Sequence, residues 1–125
     1  MLGIAIALAQ QGLLPLHVGL AFVLGSNVGT TAAPLFAALS KGPAPLRFSL
    51  AYVLFKTAIA LAVLPFLAPL TPLLQAASGA DAPVATLIAN GHTAFNLALA
   101  LVFFPLLGLV ARGVAALVPA PAKAE

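Results

Sequence analysis

The sequence predicts an all-helical integral membrane protein, and three observations carry that prediction. First, 63% of the 125 residues are hydrophobic and only 6% are charged, where a soluble domain carries about a quarter charged residues. Second, Lys, Arg, Asp and Glu are absent from Met1 to Ser40, from Thr57 to Ala80 and from Ala82 to Ala111, runs of 40, 24 and 30 residues. A helix needs about 20 residues to cross the hydrocarbon core. Third, Ala and Leu dominate and strand-type alternation is absent, which points to helices and away from an outer-membrane barrel.

The remaining composition excludes several function classes. There is no cysteine, so disulfides, thiolate chemistry and cysteine-bound metals are ruled out. The net charge of +3 comes from five scattered basic residues, which form no nucleic-acid patch and read as topology markers. No basic region precedes the first apolar run, so that run reads as a membrane segment and not as a signal peptide.

Along the chain, Met1 to Leu14 is apolar and ends at Gln10-Gln11-Gly12 and Pro15. Fourteen helical residues reach only about 21 Å, so this is a short half-helix. Its abrupt apolar start predicts a piece of a longer chain. Gln10, Gln11 and His17 are expected at the outer interface. Leu16 to Ser40 is long enough to cross, but the insert Gly25-Ser26-Asn27-Val28-Gly29-Thr30-Thr31 predicts a break at residues 25–31. Lys41 to Arg47 reads as a loop, Phe48 to Leu70 as a second span, and Thr71 to Pro83 as a looser connection containing Asp81. Val84 to about Val118 reads as the last span, and 119–125 as a short tail.

Basic residues favour the cytoplasm in short loops. The 41–47 loop, Arg112 and Lys123 are therefore expected inside, the Asp81 connection outside, and the whole chain in the cell's inner membrane as a multi-pass protein. The stretch from Ala51 to Pro65 also echoes that from Gly91 to Pro105 at an offset of 40, with Phe55/Phe95 and Pro65/Pro105 in register. Both spans then read as versions of one element.

Chemistry is expected at the insert. Unpaired backbone groups cost several kcal/mol each in hydrocarbon, so irregular structure survives only where it lines a cavity or is buried in protein. Gly25 and Gly29 permit unwinding, Thr30 or Thr31 is able to cap the helix that resumes, and Pro34 is tolerated in its first turn. Such breaks hold anions and sodium in secondary transporters. The competing reading is a small-residue helix contact.

In the last span, His92 and Asn96 lie one turn apart on a shared face. Thr86, Asn90, Thr93 and Asn96 form a polar stripe that either lines a pathway or hydrogen-bonds between helices. Lys56, nine residues beyond Arg47, lies about 13 Å along its helix and either snorkels or points inward. The only carboxylates, Asp81 and Glu125, form no catalytic pair, and no Gly-Lys-Ser/Thr phosphate loop is present. No catalytic residue and no enzymatic activity are expected.

Three motifs carry a family resemblance. Leu24-Gly-Ser-Asn-Val-Gly-Thr-Thr31 resembles the Gly-Ala-Asn-Ile-Gly-Thr-Thr signature of the sodium/phosphate cotransporter family, the type II group and its bacterial relatives. Ala51-Tyr-Val-Leu-Phe-Lys56 resembles its Ala-His-x-x-Phe-Asn element. Asn90-Gly-His-Thr-Ala-Phe-Asn96, followed by Pro105, resembles its later His-Thr-x-Phe-Asn and Leu-Pro pattern. Order and spacing agree over about residues 2–113.

The resemblance implies half of an inverted-repeat transporter, with residues 1–118 as the second repeat. It also implies sodium-driven symport of inorganic phosphate, with no cofactor besides sodium as coupling ion. Ser26, Asn27, Gly29, Thr30 and Thr31 would bind substrate and sodium, with sodium at Asn27, Thr30 and Thr31. Lys56, Asn90, His92, Thr93 and Asn96 would line or support the pathway. The family's Gln-Ser-Ser-Ser motif has no counterpart in this sequence, so the lipid-embedded chain is expected to need a missing N-terminal repeat or a second subunit. Two positions depart from the family pattern: Tyr52 stands for its His and Lys56 for its Asn. An inward Lys56 would act as a tethered cation beside the site. The alternative function is a non-transporting assembly or regulatory subunit that keeps the polar insert for packing.

Overall fold

The computed structural model describes residues 2–119. It is all-helical: α1 (Leu2–Gln10), α2 (Leu16–Gly29), α3 (Ala32–Ala38), α4 (Pro43–Val63), a 3₁₀ turn (Leu64–Phe66), α5 (Leu67–Ser78) and α6 (Val84–Leu117). Three helical segments are long and apolar enough to cross a membrane: Leu16–Ala38, Pro43–Ser78 and Val84–Leu117. Their outer surfaces are apolar, with Phe104, Phe48, Phe36 and Leu101 largely exposed. Exposed apolar area on this scale marks a surface meant for contact with lipid or protein, and the architecture is compatible with a multi-pass membrane protein. The tail beyond residue 119, with Lys123 and Glu125, lies outside the described residues.

The short half-helix is α1. It folds back through Gly12, at φ +71°, and packs with α2 and the start of α6 around Ala9, Val23, Ala85 and Ile88. Gly19 and Gly91 let α2 and α6 approach closely. A Cβ on Gly19 would collide with the Ile88 side chain, and one on Gly91 would come within 2.6 Å of Leu20 Cδ2. Further along, Leu24, Ala60 and Phe95 join α2, α4 and α6, and Phe55 meets Phe103 edge-on at 4.7 Å between ring centroids.

Three expected boundaries are corrected. The predicted break at 25–31 shrinks to a turn at Thr30 and Thr31, because α2 remains helical through Gly29. Both threonines keep α-region angles, φ −67° and ψ −12° for Thr30 and φ −83° and ψ −14° for Thr31. The 41–47 loop shortens because Pro43 starts α4, the first-turn position where its missing N–H is harmless. Gly42, at φ +91°, makes that turn. Residues 71–78, read as loose connection, are helical in α5, and only 79–83 connect to α6.

Pro65 and Pro105 occupy equivalent places in the internal echo but act differently. Pro65 lies in the 3₁₀ turn that separates α4 from α5, whereas α6 runs through Pro105. At one end of the bundle, Arg47 Nε donates to Val118 O at 2.7 Å, and Ser49 Oγ donates to Pro34 O at 3.2 Å across the α3–α4 turn. The start of α4 and the end of α6 therefore share one end. The contacts of Gly19 with Ile88 bring the starts of α2 and α6 together at another.

Candidate functional site: a buried lysine among amides

Lys56 does not snorkel. Its side chain, on α4 and 6% exposed, is buried, and Nζ donates to Oδ1 of Asn27 on α2 at 3.3 Å. The Tyr52 ring, one helical turn before it, lies 4.6 Å from Nζ at its centroid, a cation–π distance. Asp81, the only described acidic residue, sits in the α5–α6 connection. Lys56 therefore has no carboxylate beside it among the described residues.

Asn27 is the hub. It is 4% exposed, and its Nδ2 donates to Val23 O at 3.0 Å, one turn back on α2. The same Nδ2 lies 3.5 Å from Nδ1 of His92, at the outer limit of a hydrogen bond. On α6, Asn96 Nδ2 donates to His92 O at 2.8 Å. It stands 3.3 and 3.5 Å from the two ring nitrogens, so it addresses the ring as a whole and neither nitrogen alone. The arrangement is a lysine, two amides and an imidazole from three helices, rich in N–H donors. In an apolar surround such a set favours an anion, because no acidic group among the described residues competes for its donors.

The insert divides between two faces. Asn27 and Thr31, four residues apart, are buried toward the bundle. Ser26, Gly29 and Thr30 instead line a shallow cavity of about 380 Å³ on the outer side of α2, together with Phe22 and Gly25. Gly25 and Gly29 have no atom near the position of an added Cβ. The expected unwinding does not occur, because the hydroxyls turn back on their own helix. Ser26 Oγ donates to Val23 O, Thr30 Oγ1 to Asn27 O, and Thr31 Oγ1 to Val28 O at 2.6 Å. This local bonding satisfies each group without opening the backbone. For the same reason neither threonine caps α3 through its side chain.

The oxygens of Asn27, Thr30 and Thr31 therefore do not converge on a cation. Asn27 Oδ1 faces Lys56, Thr31 is buried, and Thr30 is exposed on the other side of the helix. The stripe on α6 divides too. His92 and Asn96 join the cluster, but Thr86, Asn90 and Thr93 are exposed. Asn90 Nδ2 donates to Ser78 Oγ of α5 at 2.9 Å, and Thr93 Oγ1 to Ala89 O.

Sequence reasoning missed two supporting features. Tyr52 stood out only as a departure from a pattern, whereas its spacing of four from Lys56 was the available signal for a stacked ring. Gly19, which sets the approach of α6, lies in an otherwise ordinary apolar run and had no local signal.

Over 119 residues, 95% of the chain, the sequence is 34% identical to the uncharacterized protein YqeW of Bacillus subtilis (strain 168). The chain spans 38% of the length of that relative. No family model matches the chain, and no solved structure matches it.

Proposed function

We propose that this chain forms one repeat of a secondary transporter for inorganic phosphate, with sodium as coupling ion, and that Lys56, Asn27, His92 and Asn96 are its share of the anion site. The observation that carries the reading is the burial of Lys56 with an amide partner and no acid among the described residues. A buried charge in a membrane segment is costly and marks a functional position. The motif resemblance to the sodium/phosphate cotransporters supplies the anion and the coupling ion. On this reading the 41–47 segment and the C-terminus face the cytoplasm, the protein resides in the cell's inner membrane, and the other half of the site comes from a further repeat or a second subunit. No enzymatic activity is proposed.

The test is radiolabelled phosphate uptake into proteoliposomes carrying the chain, alone and with the complementary repeat, under a sodium gradient. Uptake should require sodium and fall in Asn27→Ala. Absence of uptake in both preparations would sink the reading.

A second reading has its own observation. Gly25 and Gly29, four residues apart on the uncovered side of α2, are the small-residue spacing by which membrane helices associate. A non-transporting assembly subunit would use that face and carry no flux. Absence of phosphate flux with and without the complementary repeat, beside oligomers lost in Gly29→Leu, would favour the assembly reading.

A further inference from the structure

We infer that Lys56 is the resident cation of this site: its Nζ takes the place that an alkali ion would occupy against Asn27 Oδ1, so Asn27 is not a sodium ligand and anion capture here needs no ion bound at that position. The inference rests on the phosphate reading for the identity of the anion but not for the cation chemistry.

An ammonium carries three N–H groups and no acceptor. Among the described residues, Nζ has one oxygen partner, Asn27 Oδ1 at 3.3 Å, and one ring face, Tyr52 at 4.6 Å. At least one donor is left without a protein acceptor, although the side chain is buried. A positive charge held in a low-dielectric surround is stabilised by an acceptor of opposite charge, and among the described residues no carboxylate stands beside it.

A side-chain carbonyl oxygen is a ligand that suits hard cations, and Asn27 presents its only one toward Nζ. A free cation on the same oxygen would sit within a few ångströms of the ammonium, where like charges repel strongly in a poorly polarisable medium. The amide nitrogen cannot substitute for it, because an amide NH₂ is a donor with no lone pair to offer a cation, and a flipped amide would lose the bond from Nδ2 to Val23 O. The fixed ammonium and a bound sodium ion are thus alternatives at Asn27, and the chain carries the former.

The experiment uses the purified 125-residue chain in detergent, with sodium chloride compared against choline chloride. Two readouts run in parallel, the melting temperature without phosphate and the equilibrium binding of radiolabelled inorganic phosphate. Lys56→Gln places an amide oxygen where the ammonium was, Lys56→Met removes charge without adding an oxygen, and Arg112→Gln controls for loss of a remote charge. The expected result is a wild-type melting temperature that does not distinguish the two salts, with sodium raising that of Lys56→Gln but not of Lys56→Met. Phosphate affinity of the wild type should differ between salts by less than about fivefold, the lower end of ordinary coupling, while in Lys56→Gln it becomes sodium-dependent by more than that.

The inference is overturned if sodium stabilises the wild type as much as Lys56→Gln. It is equally overturned if sodium leaves Lys56→Gln as unresponsive as the wild type. A wild type that binds no phosphate in either salt, both alone and with the complementary repeat, refutes the phosphate reading, while the melting comparison still decides the cation inference by the same two criteria.

Discussion

Lys56 Nζ and Asn27 Oδ1 lie 3.3 Å apart although 29 positions separate them in the chain. This pair joins α4 to α2 beside the apolar cluster of Leu24, Ala60 and Phe95. It sets the electrostatic character of the site, and changing either partner should have a predictable sign.

Asn27→Asp would give Lys56 a carboxylate and convert a donor-rich cluster into a neutral ion pair. Phosphate binding should fall at least about tenfold, because the added negative charge sits within a few ångströms of the anion in a medium of low effective dielectric. Equilibrium binding of radiolabelled phosphate to the purified chain checks this, and unchanged affinity would remove Asn27 from the anion site.

The two halves of the α6 stripe should separate functionally. His92→Ala and Asn96→Ala should weaken phosphate binding, since both side chains belong to the Lys56–Asn27 cluster. Thr93→Ala should leave it unchanged, as its exposed hydroxyl bonds to Ala89 O on its own helix. Asn90→Ala should cost no more than about 1 kcal/mol of stability through the lost bond to Ser78, and no binding. Equal losses across all four variants would restore the whole stripe as a pathway.

Gly19→Val should destabilise the chain by about 1–3 kcal/mol, the usual cost of overpacking, because the new side chain meets Ile88. Ile88→Ala in the same chain should recover part of the loss. Gly25→Ala and Gly29→Ala meet nothing and should leave stability unchanged or raise it by up to about 1 kcal/mol through helix propensity. Thermal unfolding in detergent compares all four. A neutral Gly19→Val would mean that α2 and α6 pack differently.

The sequence contains no cysteine, so single introduced thiols report topology without background. Lys41→Cys and Asp81→Cys should be labelled by a membrane-impermeant maleimide from opposite sides of intact vesicles, with Lys41→Cys on the cytoplasmic side. Arg112→Cys should behave as Lys41→Cys does, because Arg47 ties the start of α4 to Val118 at the end of α6. Labelling of positions 41 and 81 from one side would overturn the alternating arrangement.

Much of this protein was legible from its residues alone. Charge-free runs that outlast a bilayer thickness, the shortness of the first helix, and the turns at Gly12 and Gly42 all follow from local rules. Hydropathy and backbone conformation act over a few residues. His92 and Asn96 were likewise assigned a common face from their spacing of four, and the approach of Asn96 Nδ2 to the His92 ring bears that out. Local rules misjudged the insert. They count polar atoms but do not say where each hydroxyl turns, and Ser26, Thr30 and Thr31 satisfy themselves on the preceding helical turn. Only the tertiary structure decided which side of α2 faces the bundle, that Pro65 separates two helices while Pro105 interrupts none, and that Lys56 points inward. A lysine stem is long enough to reach either the interface or the core. The choice is made by a partner 29 residues away, Asn27, and by the close approach that Gly19 and Gly91 allow between α2 and α6. Long-range contacts of that kind have no trace in a local pattern.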